Sequence, residues 1–457
     1  MNKTLQSWKQ ESRLGKLQLV CVLAVVVAEL VFLSPKGLQS GIASVTVDYL
    51  LAIPALAFLM LCFARGFKGK GITTMVLSLV MLFWFGLVQG IRAYFDISTL
   101  EPGEMLCFYA LALPLAYGMA DGRRQWGLNA LAALFLVEGI QVLLLTVGLY
   151  LEVLPDFCAN VVRWAKGRLV QLYQPNNCGA LLLVSIGVTF GLSFRTQKRW
   201  LRILLIVLAA LEFAVQTLTE SRTNITFTCL LVGGILFCAI RGTGWKRALT
   251  GLAVGAAVVV VMFLASQKLY DLHLQYLNRE TLQEAQEQAK QTDQNGAEAE
   301  TQTPTEPVKT LQGRSFLKHM PTLNGRTGIW EASLRGVAHN PKILLCGADS
   351  VISVLAEEGS NGQHTHNSYL ETLYTLGIPG LVMALILTVL AVRAALLLLW
   401  KNTDVWKSSV ALITLCMLGC SLLEPFLFAA KYYHHYLSLF FLAAVGYLHQ
   451  WCAESKE

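Results

Sequence analysis

Apolar runs of roughly 17 to 25 residues recur along the chain, separated by short polar stretches that gather lysine and arginine. About twelve such runs can be placed, over 17–34, 45–64, 72–91, 104–120, 128–150, 177–194, 201–219, 224–240, 247–265, 369–399, 408–427 and 434–451. Each is long enough for a helix to cross a hydrocarbon core, and a helix satisfies its own backbone there. The pattern therefore predicts an all-α polytopic membrane protein. It divides the chain into residues 1–265 with helices 1–9, a long extracytoplasmic loop over 266–368 between helices 9 and 10, and residues 369–457 with helices 10–12.

The loop is itself patterned. It opens on a candidate amphipathic stretch (Leu269, Leu272, Tyr276, Leu277) and turns rich in Gln, Glu, Ala and Thr over about 283–308. That second part offers too little apolar surface to offset its ordering entropy, so a disordered insertion is expected. Apolar periodicity returns near 325–338, where Ile329, Trp330, Leu334 and Val337 would share the buried side of a short helix that stops before His339-Asn340-Pro341. Arg326 and Trp330, four residues apart, would lie on one face of it.

Composition agrees with the membrane reading: 55% of the 457 residues are hydrophobic and 14% charged. The net charge of +7 is explained by orientation. Lys3, Lys9, Arg13 and Lys16 precede the first run, and the basic loops that follow alternate as the positive-inside rule requires with twelve helices and both termini cytoplasmic. Nucleic-acid binding is not expected. The eleven cysteines show neither a metal spacing nor a disulfide framework. Glu29 and Glu138, inside apolar runs, should face the bundle, and Trp126, Trp200, Trp245 and Trp406 should anchor its cytoplasmic ends.

Polar residues able to do chemistry collect at the opposite boundary. His366, at the end of the long loop, brings a group that titrates near neutral pH, and Asn367 beside it could orient the ring or a bound hydroxyl. Arg222 falls at the start of helix 8, where the helix dipole and free N–H groups also favour an anion. Arg163, Lys166 and Arg168 oppose the positive-inside trend, as if kept for an anionic partner, and Pro175-Asn176-Asn177 reads as a turn and helix start. Zinc held by His364, His366, His434 and His435 is the metal alternative. No Cys or acidic cluster accompanies those histidines at a familiar spacing, so no metal is expected.

His366-Asn367, nine residues, then Gly377-Ile378-Pro379-Gly380 resembles the His-Asn-x9-Gly-x-x-Gly signature of the bacterial O-antigen ligase and polysaccharide polymerase superfamily. Arg326 with Trp330 ahead of Pro341 and Leu345-Cys346-Gly347 is similar to that family's Arg-x3-Trp helix and following turn. Ser221-Arg222 resembles its Ser-Arg motif, and Arg168 with Pro175-Asn176-Asn177 its Arg and Pro-Asn pair. Thr226, where family ligases often carry Leu, and the long insertion over 283–308 depart from the pattern.

The resemblance implies a GT-C-like membrane glycosyltransferase of the bacterial cytoplasmic membrane. It would move a glycan from an undecaprenyl-pyrophosphate carrier to an acceptor hydroxyl on the outer side, in cell-surface polysaccharide synthesis, without metal or cofactor and with inversion. It implies catalytic roles for His366, Arg222 and Arg326, and substrate contacts from Arg168, Asn177, His364, Asn367 and Trp330. A pyrophosphate is already a good leaving group, so the missing carboxylate pair of a glycoside hydrolase is no objection. Ligase and polymerase would differ only in the acceptor. A transporter of lipid-linked glycans is the reading from another class, and it would place polar residues along a path at mid-bilayer.

Overall fold

The computed structural model describes residues 12–33, 45–65, 70–96, 126–158, 161–171, 174–240, 245–294, 325–362, 364–400, 404–428 and 435–454. Its long helices are α1 (Arg13–Leu33), α2 (Val45–Arg65), α3 (Lys70–Tyr94), α4 (Trp126–Tyr150), α5 (Pro175–Arg195), α6 (Arg199–Leu218), α7 (Arg222–Ile240) and α8 (Trp245–Gln294). Then come the short α9 (Arg326–His339), α10 (Ile343–Cys346) and α11 (Val351–Glu357), followed by α12 (Ser368–Trp400), α13 (Val405–Ser421) and α14 (His435–Glu454). Among the described residues seven helices are long and apolar enough to cross a membrane, and three shorter apolar helices accompany them. Eleven of the expected runs coincide with helices, and the run at 104–120 lies outside the described residues.

The amount of apolar surface on each helix follows its place. α5 is apolar or small on every side and is buried along nearly all its length, against α4, α6, α7 and α13. Peripheral α8 instead turns Leu249, Leu252, Val260, Val261 and Leu264 outward, the surface a lipid-facing helix presents. Glu29 and Glu138 are buried, as charges at such depth should be, and Gln141 Nε2 donates to Glu138 Oε2 at 3.1 Å. Trp200 and Trp245 are exposed, whereas Trp406 is 1% exposed and packs inside the bundle, so it is no interfacial anchor.

Three local departures from the expected pattern shape one end of the bundle. First, the helix begun at Trp245 does not stop near 265: it runs to Gln294, so residues 283–294 are helical where disorder was expected, and 295–308 lie outside the described residues. Gln, Glu, Ala and Lys are strong helix formers, and no Gly or Pro interrupts them before Gly296. The extension is pinned by His273, whose Nδ1 accepts from Tyr150 Oη at 2.6 Å while its Nε2 donates to Gly167 O at 3.2 Å.

Second, the cationic loop after α4 is an antiparallel hairpin, β1 (Arg163–Ala165) with β2 (Arg168–Val170), pairing Ala165 with Arg168. Lys166 (φ 53°) and Gly167 (φ 76°) make its two-residue turn, both with the positive φ that suits the twist of a tight hairpin.

Third, α12 folds back on itself. Gly377 has φ 70° and ψ −166°, and Tyr369 Oη lies 2.8 Å from Thr388 Oγ1, a pair that a straight helix would separate by about 28 Å. Thus 368–376 and 378–400 form a helical hairpin around Gly377. A Cβ at Gly377 would meet the carbonyl oxygens of Leu345 and Leu344 at 2.6 and 2.7 Å, which excludes every other residue. The turn is braced from α3: Trp84 Nε1 donates to Leu376 O (3.3 Å), and buried Arg92 donates to Cys346 O (2.9 Å) and Ala348 O (3.1 Å). Residues 343–348 are thereby wedged between α3 and α12.

Candidate functional site

The first half of α12 carries its preceding loop, 364–367, down beside the start of α5, the start of α7 and the end of α13. Asn367 caps it: its Oδ1 accepts from the backbone N–H of Tyr369 (2.9 Å) and Leu370 (3.1 Å), and its Nδ2 donates to Leu422 O (3.0 Å). The asparagine is thus spent on backbone. It fixes the loop and leaves the neighbouring imidazole free of capping.

His366 sits in the left-handed region at φ 51°, a conformation that costs about 1 to 2 kcal/mol for a residue with a Cβ. Buried Thr365 holds it there, accepting the Asn367 N–H and donating through its hydroxyl, while Glu371 Oε2 accepts from Thr365 N (3.2 Å) and Oγ1 (2.9 Å). His366 N donates to His364 Nδ1 at 3.2 Å, and the two rings lie 3.9 Å apart between centroids.

Glu424, just past α13 and 2% exposed, organises the centre. Its Oε2 accepts from His366 Nδ1 at 3.2 Å, and its Oε1 accepts from Asn176 Nδ2 at 2.9 Å and from Arg326 Nη2. Arg326 also donates through Nη1 to Thr223 Oγ1 at 3.3 Å. A buried carboxylate with three donors answers the cost of burying its charge. Its backbone is fixed too, since Ser368 Oγ donates to Glu424 O at 2.9 Å and accepts from Leu427 N at 3.0 Å. Because an ionised carboxylate only accepts, His366 Nδ1 carries the hydrogen, and in the neutral ring Nε2 keeps a lone pair.

A second cationic cluster adjoins through Thr223. Arg222 Nη2 is 3.2 Å from Glu220 Oε1 and Arg168 Nε 3.7 Å from Glu220 Oε2, while Arg168 Nε also donates to Thr219 O at 2.9 Å. Tyr270, from the extended part of α8, donates its hydroxyl to Glu220 Oε2 at 3.4 Å. Asn224 Nδ2 reaches Asn176 O at 3.0 Å and ties the starts of α7 and α5.

Sequence-predicted residues therefore distribute unevenly. His364, His366, Asn367 and Arg326 meet around Glu424, and Arg222 and Arg168 meet around Glu220. Asn177 is buried at the start of α5, and its neighbour Asn176 is the one that faces the carboxylate. Trp330, half-buried on α9, has an indole N–H with no hydrogen-bond partner among the described residues. Among the other zinc candidates, His434 lies outside the described residues and His435 begins α14.

Sequence reasoning missed Glu424, whereas Glu220 was legible beside Arg222 as a residue that could neutralise it. Glu424 stands at the end of an apolar run, 58 residues beyond His366, and an acidic residue at such an apolar boundary was the available signal. It also supplies the acidic partner that the histidines lacked in sequence: ligand atoms of His364, His366 and Glu424 all lie within 4.8 Å of one another. Burial, and next the neighbouring His366 ring, press the His364 pKa below its ordinary value.

No curated protein matches the chain. Residues 207–385 match a family model described as O-Antigen ligase. The matched segment runs from α6 through the first part of α12 and includes Arg222, Arg326, Trp330 and the His364–Asn367 loop. Over residues 207–385, then, the chain is similar to the O-antigen ligase family.

Proposed function

We propose that this protein transfers a glycan from an undecaprenyl-pyrophosphate carrier to an acceptor hydroxyl on the outer side of the cytoplasmic membrane, as an O-antigen ligase type of glycosyltransferase. The observation that carries the reading is the Glu424–His366 pair at 3.2 Å with Arg326 on the same carboxylate. It leaves an oriented, unprotonated nitrogen next to fixed positive charge. In this reading twelve spans of a GT-C-like bundle keep both termini in the cytoplasm and open the site outward.

The reaction is a single displacement. His366 Nε2 accepts the proton of the incoming hydroxyl as its oxygen bonds to the anomeric carbon, and the carbon–oxygen bond to the pyrophosphate breaks on the opposite face. The bonding pair leaves with the pyrophosphate, and the anomeric centre inverts. A positioned base of this kind supplies on the order of 10²- to 10⁴-fold. Arg222 and Arg326 grip the pyrophosphate through the planar fork of the guanidinium, and Arg168 assists. Since the leaving group needs no protonation, neither a carboxylic acid nor a metal is required. His364, Asn176 and the free indole N–H of Trp330 line the site, and Asn367 holds the loop.

Two readings compete on the nature of the partner. A polymerase would use a second lipid-linked glycan as acceptor. A transporter is disfavoured because the candidate cations and histidines gather at one end of the bundle. The deciding experiment incubates purified protein, and its His366→Ala variant, with the lipid-linked oligosaccharide alone and resolves the products on a gel. Transfer only after a separate acceptor such as lipid A core or a wall polymer is added supports the ligase. A His366-dependent ladder without it means polymerase, and silence in both arms defeats the enzymatic reading.

A further inference from the structure

We propose that His364, His366 and Glu424 bind a zinc-class divalent cation, and that this ion and the transfer reaction exclude one another. Two imidazoles and a carboxylate, with ligand atoms all within 4.8 Å, form the N2O donor set that zinc and its neighbours prefer. An open fourth position would remain for water. Magnesium and calcium, which demand oxygen ligands, would be rejected.

The histidines are held for such a role before any ion arrives. Thr365 between them is wholly buried and doubly bonded to Glu371 Oε2, and the two rings lie 3.9 Å apart between centroids. Outer contacts of this kind keep ligands oriented. Glu424 can serve two cations at once, since Arg326 occupies Oε1 and Oε2 faces the imidazole.

Exclusion follows from the tautomer. An ion placed between Glu424 Oε2 and His366 takes Nδ1, the nitrogen that now carries the hydrogen. Neutral imidazole keeps one N–H, so the hydrogen moves to Nε2. The lone pair that would accept the acceptor's proton is then gone. This second half rests on the transfer reading above, whereas binding does not.

The test uses the full chain in detergent or nanodiscs, stripped with chelator, and needs no glycan for its first arm. Calorimetric titration with Zn(II) should show one site per chain, weakened at least tenfold in His364→Ala and in Glu424→Gln, and unchanged in His339→Ala. Co(II) bound to the unaltered protein should give the strong visible bands of four- or five-coordination without thiolate charge transfer, a readout that needs no variant to fold. In a second arm Zn(II) should abolish transfer and chelator restore it. No stoichiometric site, equal affinity in both variants, or an octahedral or thiolate Co(II) spectrum overturns the site. Zinc bound at full occupancy with transfer unchanged overturns the exclusion; a protein inactive on every glycan but binding zinc as described leaves the site standing and the transfer reading defeated.

Discussion

Glu424 divides its two oxygens between a guanidinium and an imidazole, so each partner's orientation depends on it. Glu424→Gln should keep the shape but free the His366 tautomer, lowering transfer by on the order of 10²-fold, the low end of what a general base supplies. A rate unchanged in a single-turnover assay would remove Glu424 from the mechanism. Arg326→Lys and Arg222→Lys should recover only part of what the alanine variants lose, because an ammonium lacks the planar fork; full activity in both lysine variants would sink the bidentate role. His364 gives a stability prediction with a definite sign. Its folded-state pKa is depressed, so below the ordinary histidine value of about 6.5 the unfolded chain binds the proton and the folded chain resists it. Stability should therefore be complete above that value and decline as pH falls below it. His364→Ala should flatten this slope in thermal melts taken from pH 7.5 to 5.

At the scale of elements, the hairpin in α12 sets the position of the His364–Asn367 loop, and Gly377 is its pivot. Gly377→Ala meets both a left-handed φ and two carbonyl oxygens under 3 Å from the new Cβ. Gly359 shares the positive φ, at +76°, but opens on empty space. Gly359→Ala should cost about 1 to 2 kcal/mol, and Gly377→Ala clearly more, read as the drop in melting temperature. Equal drops would mean that the wedge of residues 343–348 against the hairpin yields easily. The signature Gly377-Ile378-Pro379-Gly380 was visible in sequence. A complete reversal was not, because one glycine fits a kink as well as a turn until Leu344 and Leu345 are in place.

For the whole molecule, the proposed orientation rests on the basic loops. Alkaline phosphatase, active only outside the cytoplasm, should be active when fused after His339 and inactive when fused after Asn402; the reverse would invert the proposed orientation. α8 is about 75 Å long at 1.5 Å per residue, far more than a hydrocarbon core of about 30 Å. Its second half must stand clear of the membrane or lie along the surface, and Tyr270 and His273 on it touch the site's rim.

The sequence by itself determined most of the helices. A run of apolar residues has one way to satisfy its backbone in lipid, so length and hydropathy were enough to place α1 through α8 and α12 to α14 within a few residues, apart from the far end of α8 and a run end six residues beyond α13. The histidine, the arginines and Asn367 were legible as residue types at a boundary. Tertiary structure decided what each of them touches. Asn367 became a helix cap, Asn176 displaced Asn177 as the residue facing the centre, and Glu424 joined His366 across 58 residues. Hydropathy reports only the transfer of a segment from water to lipid. The pairing of one buried charge with another depends on which helix ends meet, and that is set by side-chain packing between segments far apart in the chain.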